Sequence, residues 1–489
     1  MRRRTFLVAA GTAVVGSTLA QLPAHADYST TVNPGTNWGA WEGWGTSLAW
    51  WGKAYGGNST LADVMFTTNT VSYNGTALPG LGLNIVRYNA GACTSNSING
   101  QSMVVSPNIS PTRQVDGYWL DWSSSDPSSA SWNWFADANQ RNLLWAARDR
   151  GANIFELFSN SPMWWMCDNH NPSGNANGSQ DNLQTWNHQQ HAVYLATIAK
   201  YAHDHWGFDF HSVEPFNEPV SNWWTATGTQ EGCHFGVATQ ESVIPFVRSE
   251  LNSRGLAGAM VAASDENTYD LALSTWQSFG SATQATVAKI NVHGYQYGSG
   301  RRDLLYNAAH AAGKVLWNSE YGESDASGLS LASNLNLDMR WLHPTAWVYW
   351  QVLDGGGWGL IQANEAAGTT GAVNTKFYVL AQYTRHIRPG MRIIDGGEAN
   401  TTAAYDSANK RLILVTTNYG TAQRVTFDLS KFSTVGGGSG GLVDRWATQT
   451  SGTGDTYTHH TDTHLSGKAF SVAFPANTVQ TFQIDNVVI

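Results

Sequence analysis

Charge is scarce in this sequence. Asp, Glu, Lys and Arg together make up 13% of 489 residues, and the balance is −9 with no basic block in the body of the chain. A surface without a positive patch offers little to the phosphates of a nucleic acid or of an anionic membrane, so neither is expected as a partner. Cysteine is nearly absent: Cys93, Cys167 and Cys233 are widely spaced, with no Cys-x-x-Cys pair and no histidines clustered beside them. That spacing excludes the usual zinc patterns. In an oxidising compartment three thiols allow one disulfide, in any of three pairings, with one thiol left over. After residue 22 no apolar run is long enough to span a bilayer. A glycine fingerprint after the first strand is missing, and "GGGSGG" at 436–441 lacks the Gly-Lys-Ser/Thr ending of a phosphate loop. No repeat of solenoid period occurs. Neither a cofactor nor a metal is expected.

What the sequence does have begins with residues 1–26. "MRRRTFLVAAGTAVVGSTLAQLPAHA" joins a basic start, an apolar stretch and a small-residue exit at Ala24-His25-Ala26. This is the layout of an export signal, and Arg3-Arg4 before Thr5-Phe6-Leu7 fits the twin-arginine type, so the mature chain should start near Asp27 and be secreted. Tryptophan (23) and glycine (49) are abundant. With few charges, Asn, Ser, Thr and Gln must cover the surface, a texture found in exported proteins that handle neutral polymers. Indole faces stack on the C–H faces of sugar rings, but tryptophan also serves as core, and composition leaves both readings open.

Eight short apolar runs alternate with helical patterns: 44–51, 83–90, 153–160, 212–219, 260–267, 290–297, 315–322 and 346–353. Between them, Leu195, Ile198, Ala199 and Ala202 fall on one helical face, and a stripe of Ile244, Val247 and Leu251 stops at Arg254-Gly255. Strands alternating with helices in this way predict an α/β chain, a (β/α)8 TIM barrel over 27–389 whose first residues are free to join a second domain. Past Pro389-Gly390, short runs alternate apolar and polar residues between turns, which predicts an antiparallel β-sandwich side domain over 390–489. A monomer is expected.

Active sites of such barrels are built at the C-terminal ends of the strands. Six runs carry a polar or ionisable residue there: Arg87, Asn160, Glu218, Asp265, His293 and Glu320. Glu218 closes run four and Glu320 run seven, which face each other across the barrel. Two opposed carboxyls in one cleft suit glycosidic hydrolysis, where one protonates the leaving oxygen and the other acts from the far side of the sugar. They stand roughly 5–5.5 Å apart when configuration is retained. Glu214 shares a strand face with Glu218 by period two but lies about 13 Å deeper, and is expected as a buried, paired structural group. Glu323 follows Gly322 and is expected as a solvated loop charge.

The motifs around these residues carry a resemblance. "FNEP" on run four and "WNSE" on run seven resemble the retaining (β/α)8 glycoside hydrolases, and "ELFSNSPMWWM" and "FYVLAQYTRHIRPGMRIID" resemble the third-strand segment and last barrel helix of glycoside hydrolase family 30. "WEGWGTSLAWW", "RYNAGAC", "TQEGCHF", "SDENTYD", "INVHGYQ", "KVLWNSEYGESDASG" and "LHPTAWVYWQ" extend the likeness over essentially the whole barrel, toward the members of that family that cut inside β-1,6-galactan. The resemblance implies a secreted enzyme hydrolysing β-1,6-galactosidic bonds, as in arabinogalactan-protein side chains, by double displacement, with Glu218 as acid/base and Glu320 as nucleophile. It implies Asn217 on the 2-hydroxyl of the reacting sugar. Arg87 would sit near the nucleophile and favour its ionised form. His293 and Tyr295 share a face of run six by period two, so both can reach the pair, the tyrosine hydroxyl bonding the nucleophile. Trp350 would floor the subsite of the reacting ring. Trp50-Trp51, Trp164-Trp165 and Trp223-Trp224 are adjacent pairs, so one of each should meet sugar while the other packs, and Trp165, matching the family's Trp-Met position, is the expected platform. The alternative within the class is the same mechanism on β-1,6-glucan, xylan or a glucosyl lipid. Outside it, a non-catalytic sugar-binding module would have no use for opposed glutamates.

Overall fold

Eight parallel strands close into a barrel in the computed structural model, which describes residues 27–489. The export-signal reading of residues 1–26 lies outside them. The strands are β1 (Gly43–Ser47), β2 (Ile85–Asn89), β3 (Ile154–Phe158), β4 (Ser212–Glu214), β5 (Met260–Val261), β6 (Lys289–His293), β7 (Val315–Tyr321) and β8 (Ala346–Tyr349). Each coincides with one of the eight apolar runs, with Gly43 and Lys289 one residue ahead of theirs. Helices cover the outer face and side chains fill the inner one, so a parallel strand is buried on both sides and reads as a nearly unbroken apolar run. Strand β8 pairs with β1 in the register Ala346 to Gly43. Parallel bridges from Ala262 to Lys289 and from Glu266 to Val292 close the remaining seam beside β5.

Branched apolar side chains fill most barrels of this kind. Here the interior is charged. Arg87 of β2, Glu156 of β3, Ser212 and Glu214 of β4, and Lys289 and Asn291 of β6 are all fully buried. Arg87 Nε donates to Glu156 Oε1 at 2.8 Å, and Lys289 Nζ bonds the other oxygen, Oε2. Ser212 Oγ and Asn291 Nδ2 complete the shell at 2.7 and 3.0 Å. Burial works against ionisation of Glu156, but Lys289 and Arg87 outweigh it and hold the carboxyl below the usual carboxylate range.

Glu214 lies in the same layer and is buried, as expected, but it is not paired. Its nearest donors are the Phe216 N–H and the Asn291 amide, both at 3.4 Å, and no described cation forms an ion pair with it. Burial, with Asp265 and Glu156 nearby, pushes its carboxyl well above the usual range. Lys289 and Arg87 are both engaged by Glu156, which leaves Glu214 without a cation of its own. The expected disulfide is also missing, since all three cysteines are free and buried. Each thiol meets a local oxygen instead: Glu231 Oε1 for Cys93 at 3.1 Å, the Met163 carbonyl for Cys167 at 3.7 Å, and the His234 carbonyl for Cys233 at 3.3 Å.

Beyond the barrel, Arg392–Asp395, Thr401–Asp406, Arg411–Asn418, Thr478–Ile484, Leu442–Gln449 and Thr458–His464 form an antiparallel six-stranded sheet. A three-stranded sheet shares a core with it, built from Gln423–Asp428, Ala469–Phe474 and the N-terminal Tyr28–Thr31, which pairs in parallel with residues 425–428. Phe427, Phe470 and Phe482 pack in that core with ring centroids 4.8 to 5.2 Å apart. Gln382, on the helix Thr375–Thr384, ties the barrel to this unit: its amide donates to Thr448 Oγ1 at 2.9 Å and its oxygen accepts from Thr481 Oγ1 at 2.6 Å.

Removing the anion from the barrel interior should be costly. Glu156→Gln is expected to destabilise the fold by about 3–5 kcal/mol, because it leaves buried cations short of a counter-charge. Urea unfolding of the variant measures this, and a change below about 1 kcal/mol would contradict it.

Candidate active site

Strand β4 ends at Glu214, so strand alternation does not carry on to Glu218. Glu218 reaches the mouth of the barrel by a different device: its backbone sits in the left-handed region at φ +47°, and its N–H donates to the Asp265 carbonyl at 2.8 Å. Asp265 is itself left-handed at φ +64°. Such conformations are uncommon outside glycine and are retained where surrounding contacts over-determine them, often at functional sites. The carboxylate accepts from Asn267 Nδ2 at 2.6 Å and lies 3.1 Å from His293 Nδ1.

Glu320, near the end of β7, accepts the Tyr295 hydroxyl at 2.8 Å. Its other oxygen is 3.6 Å from Arg87 Nη1. The carbonyl of Glu320 accepts the Gly294 N–H at 2.7 Å, which holds the β6 loop, and with it Tyr295, against β7. Burial pushes the Glu320 carboxyl up to about 7, with Glu218 adding to the rise and His293 and Arg87 opposing it. Oxygens of Glu218 and Glu320 and a ring nitrogen of His293 all lie within 4.8 Å of one another.

His293 is fully buried among three carboxylates. Nδ1 is 3.1 Å from Glu218 and 3.5 Å from Glu320, and Nε2 is 3.2 Å from Asp265 Oδ1. Burial alone would lower its proton affinity, but Glu320 and Asp265 outweigh it and raise the ring well above the ordinary histidine range. Both nitrogens lie near carboxylate oxygens, an environment that favours the protonated ring over one that gives a lone pair to a metal. The Glu218, His293 and Glu320 atoms have the spacing of a ligand set but not its chemistry. Asp265 completes the group: it meets Arg87 Nη2 at 2.6 Å and the Ser319 hydroxyl at 2.5 Å. Against its burial, Arg87 and His293 hold its carboxyl below the usual range.

Asn217 is buried next to Glu218, with Oδ1 sealed and unpartnered and with no hydrogen bond from its amide nitrogen to the described residues. Asn160, two residues past β3, has both amide atoms buried without a partner among the described residues. Trp350 follows β8 directly and packs edge-on against Trp50, ring centroids 5.0 Å apart. The tryptophan expectations need correction. Trp165 is only 2% exposed, with Nε1 donating to the Trp119 carbonyl and the ring edge-on to Trp119, so it has no open face to offer. Trp50, Trp51 and Trp164 are buried as well, and of the three adjacent pairs only Trp223-Trp224 divides into one exposed and one packed ring. Short-range alternation fails there because these residues lie in loops and single helical turns. Glu323 is not a solvated charge either: it is buried and pairs with Lys376 Nζ at 2.8 Å.

Sequence reasoning passed over Asn267, the donor to Glu218, although it lies two positions beyond Asp265 and period two puts the pair on one side. It also missed Trp358, for which no motif gives a signal. That ring, 36% exposed, rests against Gly322, where an added Cβ would lie 3.2 Å from it. Glycine there lets an indole lie against the backbone two residues past Glu320. Chemically, the site offers two carboxyls in one cleft, surrounded by fixed cations and hydroxyl donors.

Comparison with known proteins places this arrangement. The profile of O-glycosyl hydrolase family 30 matches residues 25–290. A curated protein of Hypocrea rufa named endo-beta-1,6-galactanase is 60% identical over 466 residues, covering 95% of this chain and 96% of that one. Among solved structures, a conserved exported protein from Bacteroides fragilis superposes with a TM-score of 0.76 at 18% identity, over 93% of this chain and all of that one. The glycoside hydrolase family 30 subfamily 8 xylanase of Clostridium acetobutylicum gives 0.67 at 20% identity, over 94% and 99%. At these identities the structures speak for a shared fold.

The charge on His293 can be tested directly. A histidine whose folded proton affinity is raised contributes its full stabilisation below the unfolded value of 6.5 and loses it only as pH climbs through the raised folded value. Its ring-nitrogen NMR signals should therefore stay those of an imidazolium across about pH 5–8. A titration centred near 6.5 would contradict the assignment.

Proposed function

Since the chain belongs to O-glycosyl hydrolase family 30, we propose that it is a secreted endo-β-1,6-galactanase, acting as a monomer on galactan chains and retaining the configuration of the bond it cuts. The enzyme class follows from the family. The substrate rests on 60% identity, over nearly the full length of both chains, to a protein named for that activity.

The observation that carries the mechanism is the approach of the Glu218 and Glu320 oxygens within 4.8 Å. Retaining glycosidases place their carboxyls about 5–5.5 Å apart, whereas inverting ones keep about 6.5–9.5 Å to admit a water. Glu320 attacks the anomeric carbon as the bond to the leaving oxygen breaks, and Glu218 gives its proton to that oxygen. Water then attacks the glycosyl-enzyme, Glu218 takes the water's proton, and Glu320 leaves as a carboxylate. The rise in the Glu320 proton affinity includes repulsion from an ionised Glu218. With the proton on Glu218 that repulsion is gone, while Tyr295, Arg87 and His293 all continue to favour the Glu320 anion. The free amide nitrogen of Asn217 is available to the 2-hydroxyl, an interaction that strengthens as positive charge develops on the ring. Trp350 lies where it can floor the reacting sugar.

Glu320→Gln should lower turnover on debranched β-1,6-galactan by about 10⁴-fold or more while leaving the thermal unfolding transition in place. Reducing-end release measures the loss, and the anomer first seen by proton NMR with the wild type should be β. A fully active Glu320→Gln enzyme, or an α first product, would sink the mechanism.

A further inference from the structure

A wide-mouthed cavity of about 460 Å³ lies at the same end of the barrel between the loops that follow β2, β4 and β8. Asn108 and Arg113 reach it from the first loop, Thr229 from the second, and Asp354 and Glu365 from the third. Its volume falls within the ~300–1,000 Å³ of small-molecule sites. Arg113 is the informative residue. Its guanidinium lies 4.2 Å from the Trp50 ring centroid, and its side chain donates to none of the described residues, which leaves a planar fork of N–H groups free on the cavity wall.

The same wall carries unengaged acceptors. Asp354 uses one oxygen for the Gly355 N–H at 2.7 Å, and Glu365 Oε1 is buried with no partner among the described residues. Burial, reinforced by Asp354, pushes the Glu365 carboxyl up to about 7. A lining that sets free donors beside free acceptors suits neutral hydroxyls, each of which can donate and accept. A uronate would meet two acids for one arginine.

The cavity connects to the cleft through tryptophan. Trp50 carries Arg113 on its face and meets Trp350 at a centroid distance of 5.0 Å, and the Trp350 N–H donates to the carbonyl of Tyr321, the residue after Glu320. Two indoles therefore separate it from the nucleophile strand, too far for the ring being cut but within reach of another ring on the same chain. Each 1,6 link adds a rotatable C5–C6 bond, so ordering several sugars opposes binding, and a fixed anchor on a distant ring offsets that cost. Binding energy gained there can be expressed at the reacting bond.

We infer that this cavity is a distal subsite for a neutral galactosyl residue of the substrate chain, oriented by Arg113 with Asp354 and Glu365. The inference rests on the galactanase reading above. The test compares kcat/KM of the wild type, Arg113→Ala and Asp354→Asn on β-1,6-galacto-oligosaccharides of increasing length and on the polymer. Wild-type kcat/KM should rise with length; both variants should lose about tenfold on the long substrates and match the wild type on the shortest one cleaved. Equal losses on every length, or wild-type behaviour on the polymer, would overturn the subsite. A wild type inactive on all β-1,6-galactans but active on another glycan would overturn the galactanase reading instead, and the same length series on that glycan would then decide the subsite.

Discussion

A guanidinium with no access to water has to be surrounded by anions, and the barrel is arranged around that requirement. Arg87 lies fully buried over the Phe158 ring, 4.3 Å from its centroid, and extends one edge to Glu156 inside the barrel and the others to Asp265 and Glu320 at its mouth. Taking a cation out of water costs several kcal/mol unless its partners are close and themselves satisfied. Two of the three are: Lys289 and Ser212 hold Glu156, and Ser319 and His293 hold Asp265. One residue thereby joins β2, β3 and β7 to the segment after β5, and the packing of the interior and the charge of the cleft become one problem.

The consequence reaches the chemistry in two steps. Arg87 favours the Asp265 anion, and Glu320 and Asp265 together raise the proton affinity of His293, whose ring faces both glutamates. Donors aimed at a carboxylate before substrate arrives need no reorganisation during reaction, which is where electrostatic catalysis gains most. The left-handed backbones of Glu218 and Asp265, joined by a 2.8 Å hydrogen bond, belong to the same arrangement, since each conformation is held in part by the other.

Much of this was legible in the sequence, for definable reasons. Strands buried on both faces leave apolar runs, so all eight could be read, although β4 and β5 proved shorter than their runs. Glu218 and Glu320 stood out through their place after runs four and seven. The contacts of Arg87, His293 and Tyr295 with that pair follow from strand ends converging in a barrel. What escaped depends on contacts distant in sequence or on loops. Glu323 looks solvated in sequence because its partner, Lys376, lies on a helix that no local pattern connects to it. Trp165 was read as a platform because a motif gives position and not cover, and the cover comes from Trp119 and Trp122. The lack of a cation at Glu214 follows from Glu156 engaging both Arg87 and Lys289, a competition with no trace in spacing.

The parallel pairing of Tyr28–Thr31 with residues 425–428 has a kinetic meaning. This strand leaves the ribosome early but finds its partner only when the chain is almost fully synthesised, so the contact belongs to the class of high sequence separation that slows folding. The small sheet cannot be complete while the chain is still growing, and its closure is a post-translational event. Loss of Tyr28–Thr31 would leave one edge of Gln423–Asp428 unpaired, so the strand made earliest protects the edge of one made near the end of synthesis.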